Sequence, residues 1–110
     1  MLNSMSKFFF GHFVDNSNNI LSFNDGTAKT ATLNVGDYSL TEFVAEVQRA
    51  LNAASSLTFT VSVNRTNRLI TISAGSSFEL LVSSGSGLTP FPLLGFSGSD
   101  KTGSNSFKIS

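Results

Sequence analysis

The chain has 110 residues, enough for one domain with a modest core, and its seven basic residues balance seven acidic ones; with no long-range field to hold a polyanion, direct nucleic-acid binding is not expected. It has no Cys and a single His, which excludes disulfides, thiolate catalysis and Cys-ligated metals and leaves too few ligands for a His-based metal site. No apolar run approaches the roughly 20 residues of a membrane-spanning helix, and the start, with one Lys and no apolar run of signal length, does not indicate secretion.

Residues 1–14 read as an aromatic N-terminal arm or edge strand, ending in Lys7-Phe8-Phe9-Phe10-Gly11-His12-Phe13-Val14. Asp15-Asn16-Ser17-Asn18-Asn19 has loop composition. Ile20-Leu21-Ser22-Phe23 is a short strand, Asn24-Asp25-Gly26 a tight-turn signal, and the run from Thr27 to Val35 alternates. Its Ala31, Leu33 and Val35 point one way and Thr30, Thr32 and Asn34 the other, so residues 20–35 are expected to form a β-hairpin.

The spacing then predicts a helix over residues 40–54. Ser39-Leu40-Thr41-Glu42 fits a capping box, in which the Ser39 hydroxyl accepts from the Glu42 N–H while the Glu42 carboxylate accepts from the Ser39 N–H. Leu40, Phe43, Val44, Val47, Ala50, Leu51 and Ala54 recur at steps of three and four and line one face. Glu42, Glu46, Gln48, Arg49 and Asn52 fall on the polar side, where Glu46 and Arg49 pair weakly. Leu57, Phe59, Val61 and Val63 alternate with hydroxyl and amide residues; after a turn at 64–68 the chain returns through Leu69 to Ser73, a second hairpin. Gly75-Ser76-Ser77 reads as a turn into a meander strand at 78–82. Ser83 to Gly87 is a flexible loop, and Leu88 to Phe96 an apolar plug whose Pro90 and Pro92 argue against regular helix before Leu93. Residues 97–110 are a polar extension in which Phe107, Lys108 and Ile109 are the only strand-like part. The expected fold is α+β: an antiparallel sheet of about five or six strands, made of two hairpins and a meander strand, with one amphipathic helix packed on it over a single domain at 15–96.

Candidate chemistry is sparse. A Ser/His/Asp triad on His12 with Asp15, Asp25, Asp37 or Asp100 lacks a nucleophile elbow, because Gly95-Phe96-Ser97-Gly98 has the wrong spacing. Glu42, Glu46 and Glu79 are the carboxylates on hand for glycoside hydrolysis, and solvated helix-face charges explain the first two more simply. The loop at 15–19 begins like a calcium loop but has Ile20 and Gly26 where Gly and Glu belong. Gly85-Ser86-Gly87 lacks the Lys of a phosphate cradle, and Asn64-Arg65-Thr66 matches a glycosylation sequon. No catalytic residue, metal or cofactor is expected. Three consecutive Phe residues cannot all face one side of a strand, so at least Phe9, or else Phe8 and Phe10, must meet a second layer or a neighbouring chain. Charged residues make up only 13% of the chain, about half the usual share, so its neutral polar surface repels copies of itself weakly.

The ordered set "GDYSLTEFVAEVQRALNAA", "LTFTVSVNRTNRLITIS", "FELL" and "LLGFSGSDKTG" resembles a module of virion structural proteins, chiefly of tailed bacteriophages. The matching positions are Tyr38 and Ser39, then Leu51 and Asn52, then Phe59, Thr60 and Val61, then Arg68, Ile70 and Ile72, and finally Leu93, Leu94, Gly95, Phe96, Asp100, Thr102 and Gly103; the likeness covers residues 20–103 and not the arm before Val14. Residues 38–73 are also similar, more weakly, to a motif of flagellar hook-associated proteins. The resemblance implies a non-enzymatic virion component, of a phage tail or head–tail junction, that assembles in the host cytoplasm with copies of itself and other virion proteins. The assembly contacts expected are Phe8, Phe9, Phe10 and Phe13 at one end and Phe96, Phe107 and Ile109 at the other. The alternative is a receptor- or carbohydrate-binding module on a host-facing appendage, with a host receptor as partner.

Overall fold

The computed structural model describes residues 12–64, 66, 69–85, 88–96 and 98–108. In chain order these form β1 (His12–Val14), β2 (Ile20–Asn24), β3 (Ala28–Thr32), β4 (Gly36–Tyr38), α1 (Leu40–Ala54), β5 (Phe59–Val63), β6 (Ile70–Leu80), a short α2 (Phe91–Leu94) and β7 (Lys101–Lys108). All pairings are antiparallel. The α+β class and the helix packed on an antiparallel sheet are as expected. The main sheet has five strands, and β1 with β4 makes an additional two-stranded ribbon.

The main sheet is organised by β6. Ile72 pairs with both Val61 and Phe107, and Leu80 with both Phe23 and Lys101, so each has a neighbour on either edge. β5 and then β2 therefore lie end to end along one edge of β6, while β7 runs along the other. This corrects the expected turn at Gly75-Ser76-Ser77, which is exposed but remains strand. Between the Ser73–Ser106 and Phe78–Ser104 pairs, β6 advances five residues while β7 advances two. The three small polar residues are taken up as a bulge, which bends the strand without ending it. The β2–β3 hairpin also forms as expected, its connection running from Asp25 to Thr27 with Gly26 at φ +123°, where a side chain would be strained.

Helix α1 starts and stops where its sequence dictates. Both capping-box bonds form, from the Glu42 N–H to the Ser39 hydroxyl and from the Ser39 N–H to the Glu42 carboxylate. Phe43, Val44, Val47, Ala50 and Leu51 are buried, with Leu40 and Ala54 packed at the margins. Opposite them, the sheet contributes a run of edge-to-face rings: Phe23 to Phe59 at 5.6 Å, Phe59 to Phe78 at 4.9 Å and Phe78 to Phe107 at 5.1 Å between centroids. This run crosses all of β2, β5, β6 and β7, tying the two ends of the sheet edge together through one core.

The apolar plug joins that core through Phe91, Leu94 and Phe96. Its helical turn begins at Phe91, earlier than the prolines suggest. Pro is compatible with a first helical turn because the N–H it lacks has no partner there anyway. The Thr89 hydroxyl accepts from the Phe91 N–H, and Gly95 at φ +95° ends the turn. The loop expected to be flexible over 83–87, of which 86 and 87 lie outside the described residues, is pinned at its start: Leu81 N–H donates to the Ser22 carbonyl, and Gly85 lies so close that a Cβ there would overlap Ser22 and the Leu81 carbonyl oxygen.

Candidate interaction surface

The residues expected to make assembly contacts fall into three groups. Phe8, Phe9, Phe10 and Ile109 lie outside the described residues. Phe96 is buried, and Phe107 is partly buried against Phe78, so both rings are engaged in the core of this chain. Phe13 alone presents a large apolar surface, at 55% exposure. It sits in the middle of β1, opposite Asp37 of β4. Its neighbour Val14 points the other way and is fully buried, which fixes the ribbon on the core. Continuing the β1–β4 register by one step sets Val35 on the side of Phe13, and Val35 is 58% exposed. The alternation places Val35 with the inward Ala31 and Leu33; the chain leaves β3 after Thr32, and the alternation persists through buried Leu33 and exposed Asn34 but ends before Val35. The outer face of the ribbon thus carries two apolar side chains beside a deeply anchored one.

The sheet edges look different from what a freely pairing sheet would offer. The Asn52 amide brackets Phe59 of β5, accepting from its N–H at 2.7 Å and donating to its carbonyl at 3.2 Å. Gln48 accepts from the Val61 N–H at 2.9 Å. On the opposite flank of α1, Arg49 donates to the Thr32 carbonyl of β3, and the Glu46 carboxylate accepts from the Asn34 N–H at 2.7 Å. On β7, Ser104 Oγ accepts from the Ser106 N–H and donates to the Ser106 carbonyl. Sequence periodicity had put Glu46, Gln48 and Asn52 on a solvated face. Glu46 is instead buried, and its pairing with Arg49 is close, at 2.6 Å. That bond, from the guanidinium, is the main cause of the lowered Glu46 pKa. The signal available in the sequence was the position of these polar residues next to the apolar stripe, where a side chain reaches past the helix to a strand.

Three further carboxylates are engaged too. Asp25 accepts from Lys29 Nζ at 2.8 Å and from Ser55 Oγ at 2.5 Å, joining the β2–β3 turn to the C-terminal end of α1; the Lys29 bond does most to lower its pKa. Asp15 accepts from the Ser17 N–H and hydroxyl, closing the 15–19 loop on itself. Asp100 accepts from the hydroxyl and N–H of both Ser83 and Ser84. These donors, the Ser84 hydroxyl foremost, bring its pKa from 3.8 to about 2. Because the folded value lies below the unfolded one, the Asp100 contribution to stability is complete above about pH 4 and is lost as pH falls toward 2. The Ser83 and Ser84 amide resonances are therefore expected to hold still from pH 7 to about pH 4 and to move below it, and Asp100→Asn is expected to remove that step.

Among the described residues, no group of three or more His, Cys, Asp or Glu side chains is placed to hold a metal. Among the described residues, a cleft of about 400 Å³ lined by Asn24, Gly26, Ser77, Phe78, Glu79 and Gly103 brings together one carboxylate and no basic partner. His12 lies across from Tyr38, on the ribbon. No described helix is long and apolar enough to cross a membrane. No protein-family model matches the chain, and comparison with curated proteins finds no match, so its functional reading rests on the order of its motifs and on the geometry above.

Proposed function

We propose that this chain is a non-enzymatic structural protein of a virion, belonging to a bacteriophage tail or head–tail junction, which assembles in the host cytoplasm with copies of itself and with other virion proteins. The observation that carries the reading is the outer face of the β1–β4 ribbon, where Phe13 and Val35 are exposed while Val14 anchors the ribbon to the core. An aromatic ring left in water on an otherwise neutral polar surface favours association over solubility. Of the candidate catalytic carboxylates, Asp15, Asp25, Glu42, Glu46 and Asp100, in contrast, accept hydrogen bonds that hold turns, caps or edges.

The reading predicts that the full chain self-associates with concentration in sedimentation velocity, and that Phe13→Ser with Val35→Ser weakens this by about tenfold or more. Both side chains are exposed, so the thermal melt of the variant is expected to stay close to that of the unaltered protein. A chain that is monomeric at high concentration, or one whose association is untouched by the two substitutions, overturns the proposal.

A further inference from the structure

We propose that helix α1 acts as a surrogate strand on the outer edge of β5, and that its Gln48 and Asn52 amides keep this edge from pairing with a second copy of the chain. An edge strand leaves every second residue with its N–H and C=O pointing away from the sheet, and such a row templates another strand. In β5 these residues are Phe59, Val61 and Val63. The first two are met by α1: the Asn52 amide takes both groups of Phe59, and Gln48 takes the N–H of Val61.

The match is geometric. Residues one helical turn apart, such as 48 and 52, are separated by about 6 Å along a helix axis. Alternate residues of a strand, such as 59 and 61, are separated by about 6.7 Å. The chain reverses direction between α1 and β5, so Asn52 meets Phe59 and Gln48 meets Val61 in the order the connection imposes. A side-chain amide carries the donor and acceptor of a peptide group, so two amides one turn apart reproduce a strand's outward pattern. The remaining flank of α1 treats β3 in kind, through Arg49 on the Thr32 carbonyl.

The test compares Gln48→Ala with Asn52→Ala, combined, against Val47→Ala. Val47→Ala removes core volume next door and leaves both amides in place. All are made in a Phe13→Ser, Val35→Ser background, so that association through the ribbon face does not mask association through the edge. In dilute solution the double variant is expected to exchange the Phe59 and Val61 amide hydrogens about tenfold faster. On concentration it is expected to associate in sedimentation velocity, while Val47→Ala stays monodisperse. Thr60→Lys with Ser62→Lys, on the exposed face of β5, is expected to restore monodispersity, because like charges on an edge strand oppose pairing. Asn52→Ala alone leaves Gln48 on Val61 and keeps the test open if the double variant does not fold; it is expected to associate at higher concentration. Cap variants that stay monodisperse, a Val47→Ala protein that associates equally, or association indifferent to the added lysines would each overturn the proposal.

Discussion

Val47→Asp is expected to abolish the cooperative thermal melt of this protein. Val47 is fully buried at the centre of the α1 stripe, between Phe43 and Leu51 in register with the turns above and below it. A carboxylate there has no basic partner on the same face: Arg49 lies on the exposed flank and already holds Glu46. Keeping the charge costs several kcal/mol of desolvation, and neutralising it still leaves unsatisfied polar oxygens in an apolar core. Either cost is comparable to the whole stability of a domain of this size, about 5–15 kcal/mol. Ala45→Asp, on the exposed side of the same helix, is the matched control and is expected to change stability by less than about 1 kcal/mol. Circular dichroism melts of the two proteins separate the cases. A soluble Val47→Asp protein melting near the unaltered one would show that the stripe does not seal the helix to the sheet.

The success of the helix and the failure of the turn at 75–77 have one cause. Helix α1 is specified twice over by neighbours in sequence: a reciprocal cap at Ser39 and Glu42, and an apolar stripe whose period only a helix satisfies. Its limits were legible to the residue. The hairpins were legible for the same reason, since alternation and turn residues act over a few positions. Gly75-Ser76-Ser77 carries a local turn signal, yet β7, far downstream in sequence, pairs with β6 on both sides of it, at Ser73 and Phe78, so the segment is absorbed as a bulge within one strand. The ribbon of β1 and β4 was hidden likewise, because it joins two three-residue segments with little periodicity of their own. Of the residues expected to make contacts, Phe13 is exposed, whereas Phe96 is buried and Phe107 is partly buried against Phe78, because a short sequence cannot reveal which of its aromatics meets a facing layer. The edge caps were missed for a different reason: a helical projection sorts residues by angle, and Gln48 and Asn52 sit at the angle where "polar" means a strand edge as readily as water.

Phe59→Ala is expected to be the most damaging truncation in the sheet. Phe59 is buried and contacts both Phe23 and Phe78, at 5.6 and 4.9 Å with both contacts edge-to-face, so it links the β2 ring to the rest of the run. Removing a core Phe side chain costs about 3–5 kcal/mol, and each lost edge-to-face contact contributes roughly 0.5–1.5 kcal/mol beyond area. For a domain near 100 residues that is a fall in Tm of roughly 15 °C or more. Phe59→Leu keeps most of the apolar volume and gives up the ring geometry, so its loss is expected to be about a third as large. The Asn52 bracket on Phe59 uses only backbone groups, which Ala retains, so the edge cap is expected to survive where the core is weakened. Hydrogen exchange separates the two effects: in Phe59→Ala the Phe78 and Leu80 region, whose packing depends on the ring, is expected to lose more protection than the residue 59 amide itself. If the alanine variant melts within a few degrees of the unaltered protein, the ring run does not hold β2, β5 and β6 together, and the stability of the sheet must come from α1 alone.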